Sequence, residues 1–150
     1  MKTLEMNTVT VGKYVDTAHV QNITNNYKKE RWIQNSEKIG KEDSLSVWWS
    51  VAELEQFLQN AKTHGADGVK FYFGAYDKDH APCAEYEDRQ TLVMVGTKKK
   101  QTGSGVKNKD IYFNTDKGSS ILAYNMGQMC PPFCGQDNTV DPDGGSIYID

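Results

Sequence analysis

Arginine is scarce in this chain: of 17 basic residues, only Arg31 and Arg89 carry a guanidinium. Bidentate recognition of phosphates or base edges therefore has few candidates. Cysteine is sparse and odd in number, Cys83, Cys130 and Cys134, unlike the even framework of a small secreted scaffold. Long apolar runs are missing as well. The opening MKTLEMNTVT has no hydrophobic stretch of export-signal length, and no later segment suffices to span a bilayer. A soluble cytoplasmic protein without membrane association is expected. The net charge is only −3, with a pI near 5.6. No global attraction to nucleic acid follows from it, so no nucleic-acid partner is expected.

What is present suffices for a fold. The 150 residues are 37% apolar and 11% aromatic, enough for one core without a metal to hold it. A single domain over 1–150 is expected, loop-rich from about residue 114. The sequon Asn22-Ile23-Thr24 falls inside a predicted helix and is read as chance.

The strongest local signal is SVWWSVAELEQFLQNAKTHG. Ser50 can cap a helix whose Glu53 completes a capping box, with Trp49 and Leu54 placed as a hydrophobic staple. Val51, Leu54, Phe57, Leu58 and Ala61 recur on one face. Gly65 supplies a left-handed stop, and His64 with Lys62 complements the dipole. An earlier helix is predicted in DTAHVQNITNNYKKER, capped by Asp16, and the polar stretch 34–44 with Gly40 reads as an exposed connection.

Strands follow. GVKFYFG alternates Val69, Phe71 and Phe73 against Lys70 and Tyr72, predicting that the first set is buried. TLVMVGT is apolar on both faces and should lie centrally. DIYFN and SIYID are shorter strand candidates, and KKKQTGSGVKNK reads as a lysine-rich hairpin loop. Helices followed by strands predict an α+β fold, two N-terminal helices packed on a small, mainly antiparallel sheet.

Candidate chemistry is thin. His80-x-x-Cys83 and Cys130-x-x-x-Cys134 could supply four zinc ligands, but the second spacing is one residue longer than the usual knuckle. Small cysteines around a stiff CPPFC connector, with Phe133 as its anchor in the core, are the plainer reading. A redox pair would have two intervening residues and open a helix. DNTVDPDGGSIYID crowds acidic residues around two glycines, yet its spacing fails the calcium-loop pattern. Gly103-Ser104-Gly105 lacks the lysine and helix of a phosphate loop. His80 among Asp77, Asp79, Glu85 and Glu87 could be tuned for catalysis, but solvated charged loops are commoner. No catalytic residue and no cofactor are assigned.

Trp48, Tyr72 and Tyr76 are candidates for an exposed aromatic binding surface. Asn26-Tyr27, WWSVAEL, YFG, TLVMVG and NMGQMCPPFCG in this order resemble a family of small uncharacterised bacterial proteins. That resemblance implies one domain in a bacterial cytosol and supplies no site residue. The expected function is a binding or interaction protein whose partner is a second copy, as a homodimer, or another protein. The alternative is a small metal-binding protein or enzyme centred on His80, Cys83, Cys130 and Cys134.

Overall fold

The computed structural model describes residues 10–135. The fold is α+β, with helices and antiparallel sheets, and the chain forms two compact units. The first comprises Trp49–Gly74 and Leu92–Met126; the second comprises Val11–Trp48, Ala75–Thr91 and residues 127–135. The strand expected at SIYID and the acidic segment around Asp141 lie outside the described residues.

In the first unit, α3 (Val51–Thr63) begins as its residues dictate. Ser50 accepts from the Glu53 amide at 3.1 Å, and the Glu53 carboxylate accepts from the Ser50 amide at 2.7 Å. This capping box satisfies two amides that a helix start leaves orphaned. The backbone bond from Ser50, followed by the Tyr124 hydroxyl, holds the Glu53 carboxyl below the ordinary range. Ser50→Ala should therefore cost about 1 kcal/mol, read as a lower denaturation midpoint with an unchanged slope. An unaltered midpoint would show the cap to be dispensable. Gly65, at φ 90°, ends the helix in the left-handed region as expected.

The sheet of this unit contains β2 (Gly68–Ala75), β3 (Gln90–Thr102) and β4 (Gly105–Asp110), with β3 in the centre. The short β7 (Ala123–Tyr124) also pairs with β3, placing Tyr124 opposite Met94. Central placement of TLVMVGT agrees with its pattern: Met94 and Val95, which project from opposite faces, are both buried. Helix α3 packs on one face through Phe57 and Ala61, joined by Leu122 and the Tyr124 ring, which lies 5.7 Å from that of Phe57. A Cβ at Gly96 would fall 2.9 Å from Leu122 Cδ2 and 3.6 Å from Ala61 Cβ. A side chain there would displace the buried Leu122 side chain, while Ala61 of the helix sits at ordinary contact distance. The hairpin β5 (Tyr112–Thr115) and β6 (Gly118–Ile121) completes the unit. Among the described residues after 114, short strands recur up to Cys130.

In the second unit, α1 (Thr17–Tyr27) starts at Asp16, whose carboxylate accepts from the His19 amide at 2.9 Å. A π-helical turn (Lys28–Trp32) carries the chain straight into α2 (Ile33–Ile39), which Gly40 ends at φ 75°. The polar stretch read as a connection is therefore partly helix; Gln34, Glu37 and Lys38 face water, and the segment carries no apolar period to detect. The strands β1 (Ser46–Trp48) and β8 (Gln128–Cys130) pair antiparallel. Around them, buried Asp43 accepts from the Ser44 and Gln90 amides, and buried Arg89 donates to the carbonyls of Glu42 and Glu85. A buried charge is tolerable only with such partners.

Candidate nucleic-acid interface

Strand alternation and helix length build the site. Thr102 lies opposite Gly105 across a two-residue turn, Gly103-Ser104, and Gly105 takes φ 112°. The stretch read as a loop is thus a paired ribbon. Its register sets Lys98 opposite Lys109 and Lys100 opposite Lys107. Residues directly opposite, and residues two apart, share a face. Lys98, Lys100, Lys107 and Lys109 therefore stand together on one face of the ribbon, all exposed.

That face is the one α3 covers further along β3, since Gly96 and Lys98 are two residues apart. The helix stops at Thr63, and a Cβ at Gly65 would lie 3.8 Å from Lys98 Nζ. The lysines emerge where the helix ends, and Lys98 complements its negative terminus. Among the described residues the ion pairs are Lys70–Asp110, Lys78–Asp88 and His80–Asp77. None engages the four lysines. Like charges facing across a ladder are destabilising, so this ribbon carries an electrostatic cost that an anion would relieve.

The opposite face is internally paired. Tyr72 donates to Asp110 Oδ2 at 2.6 Å, Lys70 donates to the Tyr72 hydroxyl at 3.0 Å, and Lys70 Nζ lies 3.0 Å from Asp110 Oδ1. The Tyr72 bond, with smaller help from Lys70, holds the Asp110 carboxyl below the ordinary range, and the same tyrosine raises the Lys70 ammonium. A depressed carboxylate stabilises the fold above the ordinary carboxylate range and loses that contribution as pH falls through its folded-state value. Asp110→Asn should accordingly show a shallower acid-side decline in melting temperature than the unaltered chain. Superimposable declines would show that Asp110 does not contribute.

The expected burial of Phe71 and Phe73 is corrected: they are 51% and 81% exposed. Strand β2 is an edge, and at its start Val69 lines a cavity of about 330 Å³ with Leu58, Ala61 and Lys62 of α3. A Cβ at Gly68 would lie 3.2 Å from Thr97 Oγ1, on the face away from α3. By alternation, Val69, Phe71 and Phe73 lie on the lysine-bearing face.

Of the aromatic candidates, Trp48 is 59% exposed on β1, while Tyr76 stacks on Tyr86 with rings 5.9 Å apart. Both belong to the second unit and Tyr72 to the first. Tyr72 commits its hydroxyl to Asp110. The metal alternative is also corrected. Cys130 and Cys134, with Cα atoms 4.6 Å apart, form a disulfide, so neither offers a thiolate. Cys83 is free, and His80 Nδ1 lies 3.9 Å from Asp77. Among the described residues, no group of three or more His, Cys, Asp or Glu could hold a metal ion. Phe133 is 43% exposed rather than sunk in a core, though its ring lies 5.5 Å from that of Tyr86.

No family model matches the chain, and no solved structure matches it. The chain is similar to Ribonuclease 3 of Arabidopsis thaliana, 26% identical over 133 residues, covering 83% of this chain. It spans 60% of that protein's length. This likeness to a ribonuclease overturns the expectation that nucleic acid is no partner. The reason lies in the averaging: a net charge of −3 says nothing about where like charges gather. Among the described residues, no helix is long and apolar enough to cross a membrane.

Read as loop, KKKQTGSGVKNK hides the lysine face at the sequence level. Its signal is the period of two, Lys98 and Lys100 before the turn, Lys107 and Lys109 after it.

Proposed function

We propose that the first unit binds RNA on the face carrying Lys98, Lys100, Lys107 and Lys109. The observation behind this reading is the register of the β3–β4 ribbon, which gathers four exposed ammonium groups, none of them in an ion pair among the described residues. The likeness to a ribonuclease supports RNA as the polyanion. Lysine grips phosphate as a mobile point charge, so the surface suits backbone contact rather than base reading. Scarcity of arginine agrees with that division.

Such binding is driven by counterion release. Anisotropy of a fluorescein-labelled RNA 12-mer, titrated with the full chain at several salt concentrations, tests it. Affinity should fall linearly with salt on logarithmic axes. Affinity independent of salt, or none at low salt, would remove the reading. The Cys130–Cys134 bridge bears on compartment: it persists where thiols are kept oxidised, and a reducing cytoplasm would hold the pair as the dithiol.

A further inference from the structure

His64 is exposed, yet its ring is held at two points. Nδ1 lies 2.9 Å from the Asn60 carbonyl oxygen, and the ring centroid lies 5.3 Å from that of Phe113. A carbonyl can only accept, so Nδ1 carries the hydrogen and the neutral imidazole keeps Nε2 bare. That second nitrogen is free to take a proton. Helical spacing places it beside the lysines. Gly65 is one turn beyond Ala61, and as Ala61 lies against Gly96, a Cβ at Gly65 would lie 3.8 Å from Lys98 Nζ. At 3.6 residues per turn, Leu58 and His64 stand about 60° to either side of Ala61. Leu58 leans toward β2, where it lines the cavity with Val69, so His64 leans toward β4 on the other side of β3. Its contact with Phe113 agrees, since Phe113 lies on β5, which follows β4 after a single residue. Lys109 stands on β4 directly opposite Lys98. His64 therefore closes the helix on the Lys109 side, next to the residue that Lys98 approaches.

We propose that His64 is the general base for RNA strand cleavage at this surface, an inference that rests on the RNA-binding reading above. With a phosphate held by Lys98 and Lys109, His64 Nε2 takes the proton of the neighbouring ribose 2′-hydroxyl. The freed oxygen attacks phosphorus: the bond from O2′ to phosphorus forms, and the bond from phosphorus to the 5′ oxygen of the next nucleotide breaks. That oxygen leaves with a proton from the Lys98 ammonium. His64 then gives its proton to water, and water restores that of Lys98. The products are a 2′,3′-cyclic phosphate and a 5′-hydroxyl end. Negative charge gathers on the phosphate oxygens in the transition state, where the fixed ammonium groups of the ribbon oppose it. The step requires the 2′-hydroxyl, so DNA is bound and left whole.

The test incubates the full chain with a 5′-fluorescein-labelled, uridine-rich RNA 12-mer in EDTA at low salt, beside the same sequence as DNA, and resolves both on denaturing gels. The unaltered chain should shorten the RNA to fragments whose mobility shifts when acid opens a cyclic phosphate, and should leave the DNA intact. His64→Gln, purified in parallel, should cut at least about 100-fold more slowly. Its affinity by anisotropy should hold within about twofold, because neutral imidazole adds nothing to counterion release. His64→Lys, which keeps a cation at the helix end and offers no base, should bind and not cut. Equal cutting by the unaltered chain and either variant, as a contaminating nuclease would give, overturns the proposal. So does cutting of DNA, or cutting that EDTA abolishes. If the unaltered chain binds RNA with the expected salt dependence and cuts nothing, the cleavage role fails and the RNA reading stands. If it binds no RNA, both fall.

Discussion

Replacing Lys98, Lys100, Lys107 and Lys109 together by glutamine is expected to weaken RNA binding by several hundredfold at about 0.1 M salt. For single strands, each neutralised phosphate contributes about 0.7 to the slope of log affinity against log salt. One decade below the 1 M reference, each contact is worth about fivefold, and four compound to the stated loss. The slope should fall by about 3 at the same time. Loss of affinity with the slope intact would mean that the lysines act by shape, and an unchanged affinity would place the interface elsewhere. Unfolding cannot mimic the result. The substitutions remove two like-charged cross-strand pairs, Lys98 with Lys109 and Lys100 with Lys107, so the melting temperature should hold or rise.

Tyr86→Ala should destabilise the second unit by about 3–5 kcal/mol, the range for a buried aromatic truncation. Tyr86 is 7% exposed, stacks against Tyr76 at 5.9 Å, and meets the Phe133 ring at 5.5 Å. Its hydroxyl accepts from the amide of Met129, a residue with no solvent exposure, at 3.0 Å. Tyr86→Phe separates the two contributions. It keeps the rings packed and leaves the Met129 amide buried without its acceptor, at a cost of about 1–3 kcal/mol. Chemical denaturation followed by fluorescence measures both. Equal losses from the two variants would assign the whole effect to the hydrogen bond, and a negligible loss from Tyr86→Ala would show that this cluster is not a core.

The cysteines show how a spacing can be read too narrowly. On spacing alone Cys130 and Cys134 read as weak ligands or small buried groups, because three intervening residues suit neither a knuckle nor a helix-opening redox pair. The prolines turn the chain tightly enough to bring the two Cα atoms within bridging distance, 4.6 Å. Spacing along the chain did not measure that distance.

By itself, the sequence determined what depends on neighbours within a turn or two. Ser50 and Glu53 form their box, Asp16 caps α1 and Gly65 closes α3, because each motif satisfies backbone groups only three or four residues away. It also settled that β3 is central, since a strand apolar on both sides has to be covered on both. Which face of a strand is covered was decided by tertiary structure alone. A period of two groups Phe71 with Phe73, and Lys98 with Lys100, but it is silent about where a helix of 13 residues ends. Spanning about 20 Å at 1.5 Å per residue, α3 covers the sheet at Gly96 and stops at the lysines. The aromatic pair on the edge strand stays outside its reach. The lysine face likewise exists only once the ribbon pairs in register, because an offset of one residue would send Lys107 and Lys109 to the other side.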